Sequence, residues 1–214
     1  RRPHKAGSGP AARRRRGSRF GVGVGVVGLL AAAATTFAGS GASAASGGVI
    51  PQRAVDPYRD VATLTPPSIP GPFGLVSDIV YVDAATHRLY LSDSANAQVD
   101  VWDTRTNRFL GGMSGGFTGE AGFPGSFDGL GPDGALADNL GQIWAGNGDG
   151  SVKVGSTRTL RETDSIPTGA VHRADELAYD PEHHVILVTN PSETIPMVTL
   201  IGAISHKVLG HVII

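Results

Sequence analysis

Short strand-like runs recur in a fixed order along the second half of this chain, and that recurrence limits the fold more than any other feature. The first copy reads VYVDAATHRLYLSDSANAQVDVWDTRTNRFLGGM. Within it VYVD, RLYLSD, VDVWD and RFLGG alternate apolar with polar residues, the period-two pattern of a half-buried strand. Turn residues separate the runs, so the stretch predicts one antiparallel sheet of hairpin-linked strands. Aspartate closes the first run at Asp83, and the closure returns at Asp138 and Asp180, at intervals of 55 and 42 residues. Each anchor leads through a polar turn into an apolar run: LYLSD at 89–93, IWAGN at 143–147, ILVTN at 186–190. Third runs follow as VDVWD, SVKVG and MVTLI, and fourth strands are expected from near Phe109, Leu160 and Val208. A loop insertion accounts for the longer first interval. Units this small cannot bury both of their own faces, so neighbouring copies must cover one another.

Four strands per unit at a period of about 40–50 residues is the pattern of a β-propeller blade. The predicted fold is therefore all-β: a partial β-propeller of about three four-stranded antiparallel blades, at roughly 75–113, 131–166 and 173–214, with a Gly/Phe-rich insertion over 111–134. The blade quoted above resembles those of the YVTN/NHL-type (YncE-like) propellers, in its Asp-containing turn, Tyr-Val/Leu strand, valine-rich strand and Asp-Thr turn. The likeness runs over about 75–214 and is weakest in the second copy, where Gly155-Ser156 replaces Asp-Thr. VWD at 101–103 is shared with WD repeats, but no Gly-His dipeptide stands before it at the expected place. The resemblance implies a disc with a central channel and usually six to eight blades. With three in view, the chain is expected to be the N-terminal part of a longer protein whose remaining blades complete any site.

Charge divides the chain. Eight of the 18 basic residues lie in the first twenty positions, and no acid precedes Asp56. Beyond Ala44 there are 10 basic and 19 acidic residues, a surplus of negative charge that argues against nucleic acid as a partner. After RRRRGSRF comes the uncharged run GVGVGVVGLLAAAATTFAG, then small residues at Ala42 and Ala44. A basic segment, an apolar segment and an A-x-A site predict an export signal over 1–44 and a secreted or cell-envelope destination. The competing reading is a retained membrane anchor, for which its glycines and a run of alanines are poor material. Residues 45–74 hold six prolines and read as a linker. The chain has no cysteine, which excludes disulfides, thiolate metal sites and c-type haem.

The candidate site comes from a second column of acids. Five residues before each anchor aspartate stands another: Asp78, Asp133 and Asp175. If the copies superpose, these carboxylates share one ring where the chain enters the first strands. They serve there as backbone hydrogen-bond acceptors, as oxygen ligands for a hard cation such as calcium, or as lining of a watery channel. Arg173 belongs to the same set, as a binder of an anionic or polar ligand or as a neutralising neighbour. His172 and Glu176 are the candidates for acid–base work. A third column, Asp93, Asn147 and Asn190, ends each second strand and reads as turn capping. His183 and His184 read as a solvated turn, because an adjacent pair lacks the i,i+4 spacing of a helical zinc site. The insertion, with ten glycines and three phenylalanines, is expected over the same face as the carboxylates.

Two functions follow as expectations. The first is a non-catalytic exported protein that binds a small molecule, peptide or cell-envelope component at the channel mouth. The second is a metal-dependent, lactonase-like hydrolase in which a bound ion activates water. No nucleophile elbow, P-loop or HEXXH motif favours the second.

Overall fold

The computed structural model describes residues 60–68, 73–121 and 123–214. The predicted export signal and most of the linker lie outside them. Among the described residues no helix is long and apolar enough to cross a membrane. Twelve strands form three four-stranded antiparallel sheets, each a simple meander. Sheet one comprises β1 (Ser77–Asp83), β2 (Arg88–Asp93), β3 (Gln98–Asp103) and β4 (Arg108–Ser114). Sheet two comprises β5 (Ala135–Ala137), β6 (Gln142–Gly146), β7 (Ser151–Ser156) and β8 (Glu162–Pro167). Sheet three comprises β9 (Leu177–Asp180), β10 (Val185–Asn190), β11 (Met197–Gly202) and β12 (Lys207–Ile213).

The anchor aspartates explain why each sheet turns where it does. Asp83 Oδ1 accepts from the backbone N–H of Ala85 and Thr86, at 2.9 and 3.3 Å. Asp138 Oδ1 accepts from Leu140 and Gln142, and Asp180 Oδ1 from Glu182 and His183. A carboxylate that closes the turn over its own following amides is the Asx-turn device. Each turn then ends on a left-handed residue: His87 at φ 56°, Gly141 at 84° and His184 at 53°. Between third and fourth strands, Asp103 accepts from Arg105 and Thr106 at 2.9 Å. In the second copy Ser156 Oγ does the same for Arg158 and Thr159, so the replacement of Asp-Thr leaves the turn intact. The expected start of the fourth strand at Leu160 needs correction: Leu160 is the left-handed turn residue, at φ 53°, and β8 begins at Glu162.

Sheet two lies between the other two. Its odd-numbered residues Ala135, Ala137, Ile143 and Ala145 pack with Tyr90, Val99, Val101 and Met113 of sheet one. Its even-numbered residues Leu136, Trp144, Val152, Val154 and Ile166 pack with Ile186, Val188 and Ile201 of sheet three. Side chains alternate across a strand, so both faces of sheet two are buried by neighbours on opposite sides. The close fit is visible at Gly155, where an added Cβ would sit 2.0 Å from Met113 Sδ. The stack is organised about the first strands: β5 touches β1 on one side and β9 on the other. On the far faces apolar residues are exposed, among them Val80 and Val82 of β1 and Val212 of β12.

Candidate functional site

Because β1, β5 and β9 lie side by side, their leading ends share one region and their trailing ends another. With five residues between the two aspartate columns, these ends are about 17 Å apart at the rise of an extended strand.

At the leading end the three column aspartates come together, although not in equivalent settings. Asp78 lies inside β1 rather than before it and is exposed. Ser92 fastens it there, accepting from Asp78 N–H at 3.1 Å and donating to the Ile79 carbonyl at 3.1 Å. Asp133 and Asp175 precede β5 and β9. The Asp133 backbone bridges sheets one and two, donating N–H to the Gly146 carbonyl and accepting from Ile79 N–H. Its side chain is 1% exposed, and neither carboxylate oxygen has a hydrogen-bond partner in the protein. Burial pushes the Asp133 carboxyl up to about 8; Arg173 opposes this and the charges of Asp175, Asp78 and Asp128 add to it. At neutral pH Asp133 is therefore mostly the neutral acid, with one O–H donor and free acceptor capacity. Burial also raises Asp175, against the pull of Arg173.

Arg173 is the hub of this end. Its Nη2 lies 3.0 Å from Asp175 Oδ2 and its Nε lies 4.0 Å from Asp128 Oδ1. That leaves the buried Nε–H without a hydrogen-bond acceptor. Asp128 comes from the Gly/Phe-rich insertion and is held by the Ser192 hydroxyl, so the insertion does cover this end. Asn147 ties the same insertion down by accepting from Thr118 N–H at 3.0 Å. Thus Asn147 is more than a turn cap, whereas Asp93 caps its turn through Asn96 N–H at 3.0 Å. Asn190 is buried and accepts from the Thr199 hydroxyl at 2.7 Å. His172 turns away from the carboxylates: its N–H and ring Nδ1 both meet Glu193 Oε1, at 2.8 and 3.2 Å. Glu176 is exposed, and only its backbone is engaged, with Thr189. His172 and Glu176 are not joined to each other or to Asp133 by a hydrogen bond. Among the described residues, no group of three His, Asp or Glu side chains is placed to hold a metal ion.

The trailing end holds a cavity of about 580 Å³ that sequence reasoning missed. Tyr81, Leu136, Ala137, Asp138 and Tyr179 are among its walls. It exists because β5 is short and ends on alanine, while its neighbours bring tyrosines to the same level. His183 and His184 sit beside it in their turn. His183 Nδ1 meets Asp180 Oδ2 at 2.8 Å, and His184 Nδ1 meets the Tyr179 hydroxyl at 2.9 Å.

The sequence matches no protein-family model and no curated protein. What the chain does has to be argued from its own side chains.

Proposed function

We propose that the three sheets are blades of a β-propeller of the YVTN/NHL type, that the protein is exported, and that it works by binding rather than by catalysis. The ligand site we assign to it is the leading end, around Asp133 and Arg173. The four-stranded meanders, the adjacent first strands and the burial of both faces of sheet two support the propeller reading. The exposed apolar residues of β1 and β12 suit further sheets on either side.

One observation carries the binding reading: Asp133 Oδ1, Asp133 Oδ2 and Arg173 Nε are buried polar atoms without partners, gathered at one end of the stack. Such groups are costly to leave unpaired, by about 1–3 kcal/mol each, and are retained where a ligand completes them. The protonated carboxyl offers one O–H donor and acceptor sites on its oxygens, and the Arg173 Nε–H adds a second donor. That set complements the N–H and C=O of an amide, so the ligand is a peptide or another amide-bearing molecule of the cell envelope.

Isothermal titration of the full chain with a capped tri-alanine peptide tests this. The peptide should bind at pH 6–7, its N-methylated analogue should bind less well, and Asp133→Asn should bind where Asp133→Leu does not. Equal binding to Asp133→Leu, or no saturable heat with the parent protein, would reject the site.

A further inference from the structure

The cavity at the trailing end is separate from the amide site and has a different chemistry. Tyr81 reaches it from sheet one and Tyr179 from sheet three, on either side of the low wall formed by Leu136 and Ala137 of β5. Each tyrosine is held. Tyr81 packs beside Tyr90, ring centroids 6.3 Å apart, and Tyr179 stacks on His184 at 6.5 Å. The Tyr179 hydroxyl also donates to Asn139 Oδ1 at 2.6 Å. Two aromatic side chains therefore flank an alanine-floored space in fixed positions.

The polar atoms around this space are mostly occupied already. Asp138 accepts from Leu140 N–H and Gln142 N–H through one oxygen and from Trp144 Nε1–H, at 2.8 Å, through the other. Asp83 accepts from Ala85 N–H, Thr86 N–H and the Thr86 hydroxyl. Thr157 donates its hydroxyl to the Gly141 carbonyl. Both carboxyl groups have little hydrogen-bonding capacity left for a small ammonium ion. None of the described residues lining the cavity is Lys, Arg or His. Arg88 approaches the rim, bonded to the Thr157 carbonyl and drawing on Asp83, whereas Asp138 is bonded to Leu140, Gln142 and Trp144. The negative field reaches both rings: burial and then Asp83 and Asp138 push the Tyr81 hydroxyl up, and burial and then Asp138 and Asp180 do so for Tyr179.

Aromatic rings, apolar walls and rim carboxyls with little hydrogen-bonding capacity left together select a cation whose charge is spread beneath an apolar surface. A bare ammonium would give up its hydration here without recovering hydrogen bonds. A neutral apolar ligand would gain nothing from the field. We infer that the cavity between Tyr81, Ala137 and Tyr179 is a second binding site, specific for a methylated ammonium group.

Titration of the full chain with tetramethylammonium chloride tests this, with ammonium chloride and tert-butanol as controls at constant ionic strength. Tetramethylammonium should saturate a single site, and the two controls should bind at least about threefold more weakly. Tyr81→Leu and Tyr179→Leu should each weaken it by about threefold or more, while Tyr81→Phe and Tyr179→Phe, which keep the ring, should retain it. Circular dichroism separates loss of a ring from loss of fold in the leucine variants. Asp133→Leu, which alters the other end, should leave tetramethylammonium binding unchanged. Equal binding of all three probes, full retention in both leucine variants, loss in the phenylalanine variants, or no saturable binding by the parent protein would each overturn the inference.

Discussion

Replacing Asp133 by asparagine keeps the side chain's shape and removes its ionisation, which makes it a clean probe of the leading end. In the unfolded chain an aspartate titrates near ~3.9, whereas the folded environment pushes Asp133 up to about 8. Between these values the folded state holds a proton that the unfolded state has released. Its contribution is fully present below the unfolded value, is lost as pH rises towards about 8, and is constant above that. The slope is about 1.4 kcal/mol per pH unit for one proton, so the parent should lose about 3 kcal/mol relative to Asp133→Asn between pH 5 and pH 7. Carboxyls common to both proteins, including Asp100, largely cancel in the difference. Urea unfolding at pH 5, 6, 7 and 8, followed by the fluorescence of Trp102 and Trp144, measures it. A difference that stays flat with pH would mean that Asp133 is ionised throughout. A charge stabilised by Arg173 would give the same flat line over pH 5–8, because its change falls below the unfolded value, and a flat line would refute the argument from burial.

Three further outcomes follow from packing and turns. Gly155→Ala places a Cβ within 2.0 Å of Met113 Sδ and should cost about 1–3 kcal/mol, with Gly155→Ala/Met113→Ala less destabilising than the sum of its single changes in urea unfolding. Trp144→Phe takes the donor from Asp138 Oδ2 and shrinks a fully buried ring; a loss of about 1–3 kcal/mol in the same assay is expected. Asp103→Ala removes the acceptor for two turn amides and should lower the unfolding temperature, whereas Ser156→Asp should leave it nearly unchanged, because serine already fills that role. Differential scanning calorimetry distinguishes these last two.

The sheets were legible because each anchor aspartate marks a turn and each following run alternates at period two. β8 was placed less well, since ETDSIP has one buried apolar residue, Ile166, and a bulge between Val154 and Gly155 shifts its register. Asp78, Asp133 and Asp175 were legible as a column, but their unequal burial was not. It depends on Arg173 and on Asp128, an insertion residue far away in the sequence. The partner of His172, Glu193, was not legible because it lies 21 residues further on. The cavity was invisible for a geometric reason. Tyr81 stands two before its anchor and Tyr179 one before, because they leave opposite faces of their sheets to meet over the same middle strand. Comparing equivalent positions therefore never aligns them.

Both proposed sites depend on sheet two lying between the other sheets with the three first strands side by side. Methyl- and aromatic-resolved NMR of the full chain reads this directly, through nuclear Overhauser contacts from the two faces of β6. Ile143 methyls should show contacts to Val101 and the Tyr90 ring, and the Trp144 ring should show contacts to Ile186 and Ile201 methyls. Contacts from one face alone, or Ile143 and Trp144 both contacting the same neighbouring sheet, would contradict the stack and the two sites built on it.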